Sequence, residues 1–468
     1  MVNRASKLFL FVDERCKDTT KNVPKQENTG FYYRKSQYML NVYPTYKDSG
    51  IEWQGQIPAH WDETLFFSVA KLKNQTGYIE EDLLSVYLDK GVIRTIDSDG
   101  KQVHKPSEDL SKYQLVDIGD FVMNNQQCWR GSVGVSSFRG IVSPAYHVFE
   151  LSSSLNYRYA NYLLRDQYMV GQYKVASKGV GSIQQILYFP WFKKCLCLIP
   201  PQEEQRQIVA YLDYKSNKIN ERICQREREL QTLSELKQAE IAAVVTRGLD
   251  PNVPMKESGI EWLGKIPAHW GMMRAKYMFN KEKRAVRTND KVVTCFRDGQ
   301  VTLRENRRIS GFTESLTETG YQGVRKGDLV IHQMDAFAGA IGVSDSDGKG
   351  TSVYHCCTPK GNYSPHYYAH LIREMARSGY IESLYRGIRE RSSDFNYDTF
   401  SKQYLPIPPR EEQDAIVSYL QSRITFIDNY IAKLKEEINY LQEYKQRLVS
   451  DVVTGKVDVR GVEIPNEE

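Results

Sequence analysis

Five runs of this 468-residue chain concentrate side chains that can read or grip a polyanion. The first is Asn124-Asn125-Gln126-Gln127-Cys128-Trp129-Arg130. The second extends from Lys174 through Lys178-Gly179 to Ser182, Gln184 and Gln185. The others hold Lys281, Lys283 and Arg284; Arg304, Asn306, Arg307 and Arg308; and Arg386, Arg389, Arg391, Ser392 and Ser393. Asn and Gln amides match adenine edges in a bidentate way, Arg matches guanine, and Lys and Arg hold phosphates. Any one of these residues taken alone reads more simply as solvated charged surface. The runs carry weight together, because 174–185 and 386–393 fall at matching places in a chain that is written twice.

The repeat is explicit. Ser-Gly-Ile-Glu-Trp at 49–53 returns at 258–262, and Ile-Pro-Ala-His-Trp at 57–61 returns at 266–270. Pro-Pro-x-Glu-Glu-Gln at 200–205 returns at 408–413, and Ile-Val-x-Tyr-Leu at 208–212 returns at 416–420. The offset is 209 residues for the first two and 208 for the others. A near-constant offset over that length indicates tandem duplication of a unit large enough to be a domain.

Each copy has two parts. The first, of about 140 residues, alternates β-branched and aromatic runs with Gly-rich turns, such as Ile118-Gly119-Asp120-Phe121-Val122 and Lys326-Gly327-Asp328-Leu329-Val330. Helices are expected near 157–168 and 364–378, giving an α+β domain. The second part is a long helix starting after each Pro-Pro pair. Proline presets the first turn, and Glu203-Glu204 and Glu411-Glu412 place negative charge at the positive end of the helix dipole. Leu212, Ile219, Ile223, Leu230, Leu233 and Val244 in the first copy fall on 3–4 spacing. So do Leu420, Ile424, Ile427, Ile431, Leu434, Ile438, Leu441, Leu448 and Val452 in the second. This is a coiled-coil seam, interrupted in the first copy by Ser216 and Arg226. Each helix should run about 40–45 residues, roughly 60–67 Å, and stop near Gly248 or Gly455. Each seam needs a partner. A duplicated unit favours antiparallel pairing of the two helices, with one globular domain at each end of a rod.

Catalytic signatures are missing. There is no phosphate-binding Gly-x-x-x-x-Gly-Lys-Ser/Thr loop, no Gly-x-Gly-x-x-Gly, and no Asp/Asn-Pro-Pro-aromatic segment. His366 and His370 stand i, i+4 as on a zinc helix. They lack the Glu between them, and the first copy has nothing similar, which argues against a metal. The paired His60 and His269, His147 and His355, and the tryptophans 53, 61, 262 and 270 read as scaffold. The tryptophans would anchor the opening strand of each domain onto the helix ends. The eight cysteines show no Cys-x-x-Cys, and Cys195 and Cys197 lie on an apolar run, so reduced core thiols are expected. A net charge of +5 and a pI near 8.5 permit a polyanion partner without requiring one. No apolar run approaches 18 residues and the N-terminal apolar stretch is short, so the chain reads as cytoplasmic, with no membrane partner.

Taken in order, the opening motif and the Pro-Pro-x-Glu-Glu-Gln motif, each occurring twice, resemble the specificity subunit of type I restriction-modification systems. The resemblance covers about residues 47–460. It implies a non-catalytic subunit with two target-recognition domains, about 62–199 and 271–407, held apart by two antiparallel conserved helices with a pseudo-two-fold. The segments would be an N-terminal extension 1–46, a first recognition domain 47–200, a central helix and linker 201–257, a second recognition domain 258–408, and a C-terminal helix and tail 409–468. Residues 21–30 read as loosely ordered, and Met39 is an alternative start.

The resemblance further implies double-stranded DNA as ligand, with each domain reading one half of a bipartite, asymmetric site. Two modification subunits would dock on the helices and carry S-adenosylmethionine. Restriction subunits with ATP and Mg would join that core, and no cofactor would sit in this chain. Carried over by position, DNA contacts fall on Lys178, Ser182, Gln184 and Gln185 in the first unit and on Arg389, Arg391, Ser392 and Asn396 in the second. The polar runs add Asn125, Gln126, Arg130, Arg284 and Arg307. Two other readings stay open from the residues themselves: a coiled-coil adaptor that binds no nucleic acid, and a stand-alone nuclease or methylase.

Overall fold

The computed structural model of the chain describes residues 41–51, 54–98, 107–180, 184–307, 320–384 and 395–465. It divides into two compact units. One comprises Met1–Ser216 with Lys445–Glu468, and the other Asn217–Tyr444.

The first unit is built on a four-stranded antiparallel sheet in the order Ala70–Lys73, Tyr146–Leu151, Phe121–Asn124, Val133–Val135. Its core is aromatic. Phe66 lies 4.9 Å from Phe192 and 5.2 Å from Phe149, ring centre to ring centre, at separations that favour edge and offset packing. The helix Tyr157–Arg165 is started by Asn156, whose side chain accepts the N–H groups of Arg158 and Tyr159. It buries Tyr159, Ala160, Leu163 and Leu164 on one face.

The second unit repeats the order with Phe279–Glu282, Tyr354–Pro359, Leu329–His332 and Ile341–Val343. The helix Pro365–Arg377 stands where Tyr157–Arg165 stands in the first unit. Its core centres on Trp270, Phe279, Tyr367, Tyr368, Phe395 and Phe400.

The Gly-Asp turns that precede a central strand have a shared logic. Gly119 and Gly327 sit at φ +94° and +90°, where a Cβ is disfavoured. The next residue folds back: the Asp120 and Asp328 carboxylates accept the N–H groups of Asp117 (2.7 Å) and Arg325 (2.8 Å). Both carboxylates are buried and need a counter-charge. Lys73 supplies it to Asp120 at 2.7 Å, and Arg284 supplies it to Asp328.

The long helices span Gln202–Arg247 and Arg410–Val453. Gly248 and Gly455 follow at φ +77° and +74°, and the Gly248 N–H returns to the Val244 carbonyl at 3.0 Å. Within the second unit the two helices run antiparallel. Arg222 and Arg226 meet Glu437, Glu229 accepts from Tyr430, Lys237 meets Asp428, and Glu240 meets Arg423. Ile219, Leu420, Ile427, Leu434 and Ile438 are buried in that unit, and Ile223, Leu230, Leu233, Ile424, Ile431 and Leu441 are half-buried. Leu212, Leu448 and Val452 are buried in the first unit. Arg226 does not interrupt the seam as its charge suggests. It lies at the margin, half-buried, and reaches Glu229 at 2.7 Å and Glu437 on the other helix at 3.0 Å. Its methylene stem can cover apolar surface while the guanidinium stays paired. Among the described residues no helix is long and apolar enough to cross a membrane.

Candidate nucleic-acid interface

In both units the helix start and the Ile-Pro-Ala-His-Trp motif form one joint. In the first, Trp61 is fully buried and its Nε1–H donates to Glu204 at 2.9 Å. The same carboxylate accepts from the Tyr43 hydroxyl at 2.6 Å and pairs with His60 Nε2 at 2.7 Å. Burial, followed by this bond to Glu204, pushes the Tyr43 phenol up. Gln205 completes the joint. Its Oε1 accepts Asn156 N–H at 2.7 Å, and its Nε2 donates to the Ser154 and Pro200 carbonyls. In the second unit Glu412 takes Trp270 Nε1–H at 3.0 Å and His269 at 2.9 Å, while Gln413 binds Ser364 N–H and the Pro408 carbonyl. These side chains are framework. They fix where each sheet begins relative to its own helix start. Trp53 lies outside the described residues; Trp262 is half-buried against Tyr380.

Further along the first unit, two of the polar runs meet. The loop after Phe121–Asn124 carries Asn125, Gln126 and Arg130. It is held by its own bonds: Gln126 N–H to Asn124 Oδ1 (3.0 Å) and Trp129 Nε1–H to the Gln126 carbonyl (3.0 Å). Gln126 and Arg130 are exposed, and Arg130 lies over the Trp129 ring. Asn125 is half-buried, and its Oδ1 is buried with no hydrogen-bond partner among the described residues. A second piece packs beside this loop, the hairpin Ser177–Val180 with Gln184–Leu187, whose Leu187 N–H donates to the Asn125 carbonyl at 3.4 Å. Lys178 stands in the first strand, and Gln184 and Gln185 stand opposite Val180 and Gly179 in the second. Ser182 lies outside the described residues.

The second unit places its residues differently. Arg307 is exposed, with its guanidinium 4.2 Å from the Phe296 ring centre and 2.7 Å from Asp298. The neighbouring Arg297 binds Asp335 at 2.9 Å, which ties that turn to the loop after Leu329–His332, the counterpart of Gln126–Arg130. The Phe395 N–H donates to the Gln333 carbonyl in the same loop at 3.1 Å. Arg389, Arg391 and Ser392 lie outside the described residues. Two residues expected at the interface have partners inside their own unit. Arg284 is held by buried Asp328, the counter-charge role Lys73 has in the first unit. Asn396 is the N-cap of the helix Tyr397–Lys402, with its Oδ1 accepting the Thr399 N–H at 3.0 Å.

The reading from residue types missed the aromatics at this face: Trp129, Tyr188 and Trp191 in the first unit, and Phe296 in the second. A comparison of the copies at the 208-residue offset would have singled out Tyr188 and Trp191, which stand against Asn396 and Thr399. The histidines of the 365–377 helix stay neutral near pH 7. Burial pushes both down, His370 to about 4. Burial also pushes thiols up, Cys128 to about 11 and Cys195 and Cys356 to about 12. Among the described residues no group of three or more His, Cys, Asp or Glu side chains is placed to hold a metal ion.

No protein-family model matches the chain, and no curated protein matches it. Solved structures do. One comes from work on complex assembly and conformational transition of the type I R-M system. It is 15% identical, spans 86% of this chain and 99% of that chain, and has a TM-score of 0.63. A second is the HsdS subunit from Thermoanaerobacter tengcongensis, 16% identical over 86% of this chain and 98% of that one, with a TM-score of 0.48. A third is the type I restriction-modification system S subunit from M. genitalium, 13% identical over 84% and 96%, with a TM-score of 0.31. The first of these has the fold of this chain.

Proposed function

We propose that this chain is the specificity subunit of a type I restriction-modification complex and catalyses nothing itself. The observation that carries the reading is the fold shared along 86% of the chain with a structure from a type I R-M system. The ordered, twice-occurring motifs add to it, since their Trp, Glu and Gln side chains build the same joint in each unit. On this reading each unit presents its loop face to the major groove of double-stranded DNA, one half-site per unit. The contacting residues are Gln126, Arg130 and Gln185 in the first unit and Arg307 in the second, with Ser182, Gln184, Arg389, Arg391 and Ser392 completing the two sets. The faces differ in chemistry, amide-rich in the first and guanidinium- and carboxylate-rich in the second, so the site is bipartite and asymmetric.

Two modification subunits dock on the long helices, and restriction subunits join them. S-adenosylmethionine, ATP and Mg belong to those partners. The test combines the purified chain with modification subunits and measures duplex binding across salt concentrations. A logarithmic affinity that falls linearly with log salt, about 0.9 per phosphate contact, is the expected result. Stable assembly with those subunits but no duplex binding would leave a coiled-coil adaptor.

A further inference from the structure

One place in the repeated frame carries side chains in the first unit that the second lacks. The 208-residue offset aligns Phe192 with Phe400, and both are fully buried. Under the same alignment Tyr188 replaces the cap residue Asn396, and Trp191 replaces Thr399. Both aromatic side chains stay exposed, at 39% and 43%. Their rings meet edge to face at 5.5 Å and 87°. The Lys178 ammonium lies 3.7 Å from the Tyr188 ring centre and 4.3 Å from that of Trp191, well inside the range over which an aromatic face attracts a cation. Lys178 sits in the hairpin opposite Ile186, and the Tyr188 N–H closes the hairpin base on the Ala176 carbonyl at 2.8 Å. The two rings and the lysine therefore join the hairpin to the short helix Phe189–Phe192 that follows it.

We propose that Lys178 is a positioning residue: its ammonium, held between Tyr188 and Trp191, latches the paired strands Ser177–Val180 and Gln184–Leu187 in the geometry that reads the first half-site, and it does not contact a phosphate. The inference rests on the DNA-reading proposal. A lysine on a four-carbon stem is mobile, and one engaged by two rings has given up that freedom before the ligand arrives. Preorganisation of this kind raises affinity by lowering the ordering cost of binding. Leaving both rings to reach a phosphate would forfeit it. Asn396 and Thr399 stand where Tyr188 and Trp191 do, so this pair of rings is particular to the first unit and the loss of Lys178 should affect one half-site.

The test uses the full chain with Lys178→Met, which keeps most of the stem and removes the charge, and Lys178→Arg, which restores a cation. In the free protein, hydrogen exchange of the amides at 177–180 and 184–187 should quicken in Lys178→Met and return towards wild type in Lys178→Arg, with Trp191 emission shifting in parallel. Binding is then measured to duplexes that wild type selects from a randomised pool, and to unselected duplex. Lys178→Met should weaken selected-duplex binding about two- to fivefold, with unselected binding and the salt slope unchanged. Unaltered exchange and emission would overturn the latch. So would a salt slope reduced by about 0.9, the mark of a lost phosphate contact. Should wild type bind no duplex at all, the DNA-reading proposal fails, and the exchange and emission arms still decide whether the latch exists.

Discussion

Trp61 donates its indole N–H to Glu204 at 2.9 Å, joining two sequence motifs 143 residues apart. Trp270 and Glu412 repeat the relationship 142 residues apart. Negative charge in the first helical turn accounts for an acidic residue there. It does not account for two in a row. Glu203 is exposed and meets only the dipole and Arg206 on the next turn, whereas Glu204 is buried and serves three donors.

Glu204→Ala should therefore destabilise the protein by about 1–3 kcal/mol, because Trp61 and Tyr43 keep buried donors without an acceptor. Glu412→Ala should cost less, since its side chain is more exposed (24% against 5%) and has no tyrosine partner of the Tyr43 kind. Thermal unfolding of the two variants side by side checks the order.

Arg284→Ala should behave as a stability variant rather than a recognition variant. Removing the guanidinium leaves the buried Asp328 carboxylate without its counter-charge, at a cost of about 1–3 kcal/mol given that Arg284 is itself partly exposed. Denaturant unfolding should report that loss. The salt slope of duplex binding should match wild type, because no phosphate contact is removed.

Acidification should destabilise the second unit through His370. Burial, then Arg373 and His366, holds its folded pKa at about 4, below the ordinary 6.5. Between those values the unfolded chain binds the proton and the folded chain does not. Stability from this residue is thus fully present above about pH 6.5 and is lost as pH falls towards 4. A titration of the unfolding midpoint should show the decline, and His370→Gln should flatten it.

Gln185→Ala and Arg307→Ala should each weaken specific duplex binding by about 1–3 kcal/mol for a lost bidentate base contact, and relax preference at one half-site each. Competition between selected and unselected duplex measures the effect. Equal losses on both duplexes would move these residues to general surface.

Much of the scaffold could be read from the chain because its signals are local. The Pro-Pro pairs, the acidic first turns, the 3–4 stripe and the terminal glycines all lie within the helices they define, and the observed helices begin two residues after the first proline of each pair. What could not be read depends on partners distant in sequence. Arg226 looks like a break in the stripe until Glu437 is known to face it. The charge of Arg284 does not announce Asp328, which lies buried beside it. Asn396 has the right type for base reading and also for capping, and the cap is visible only once the following helix is placed. The Gly-rich run 177–187 reads as a loop, yet its ends pair as a hairpin because Leu187 has a buried place beside the Asn125 loop.

Under the proposed function each unit reads its own half-site. Mapping methylated bases in cells that express this chain with the proposed modification subunits tests it directly, before and after residues 62–199 are replaced by the equivalent segment of a relative. A bipartite, asymmetric motif is expected, in which the exchange alters one half and leaves the other and its methylation intact. Simultaneous change in both halves, or methylation independent of this chain, would contradict it.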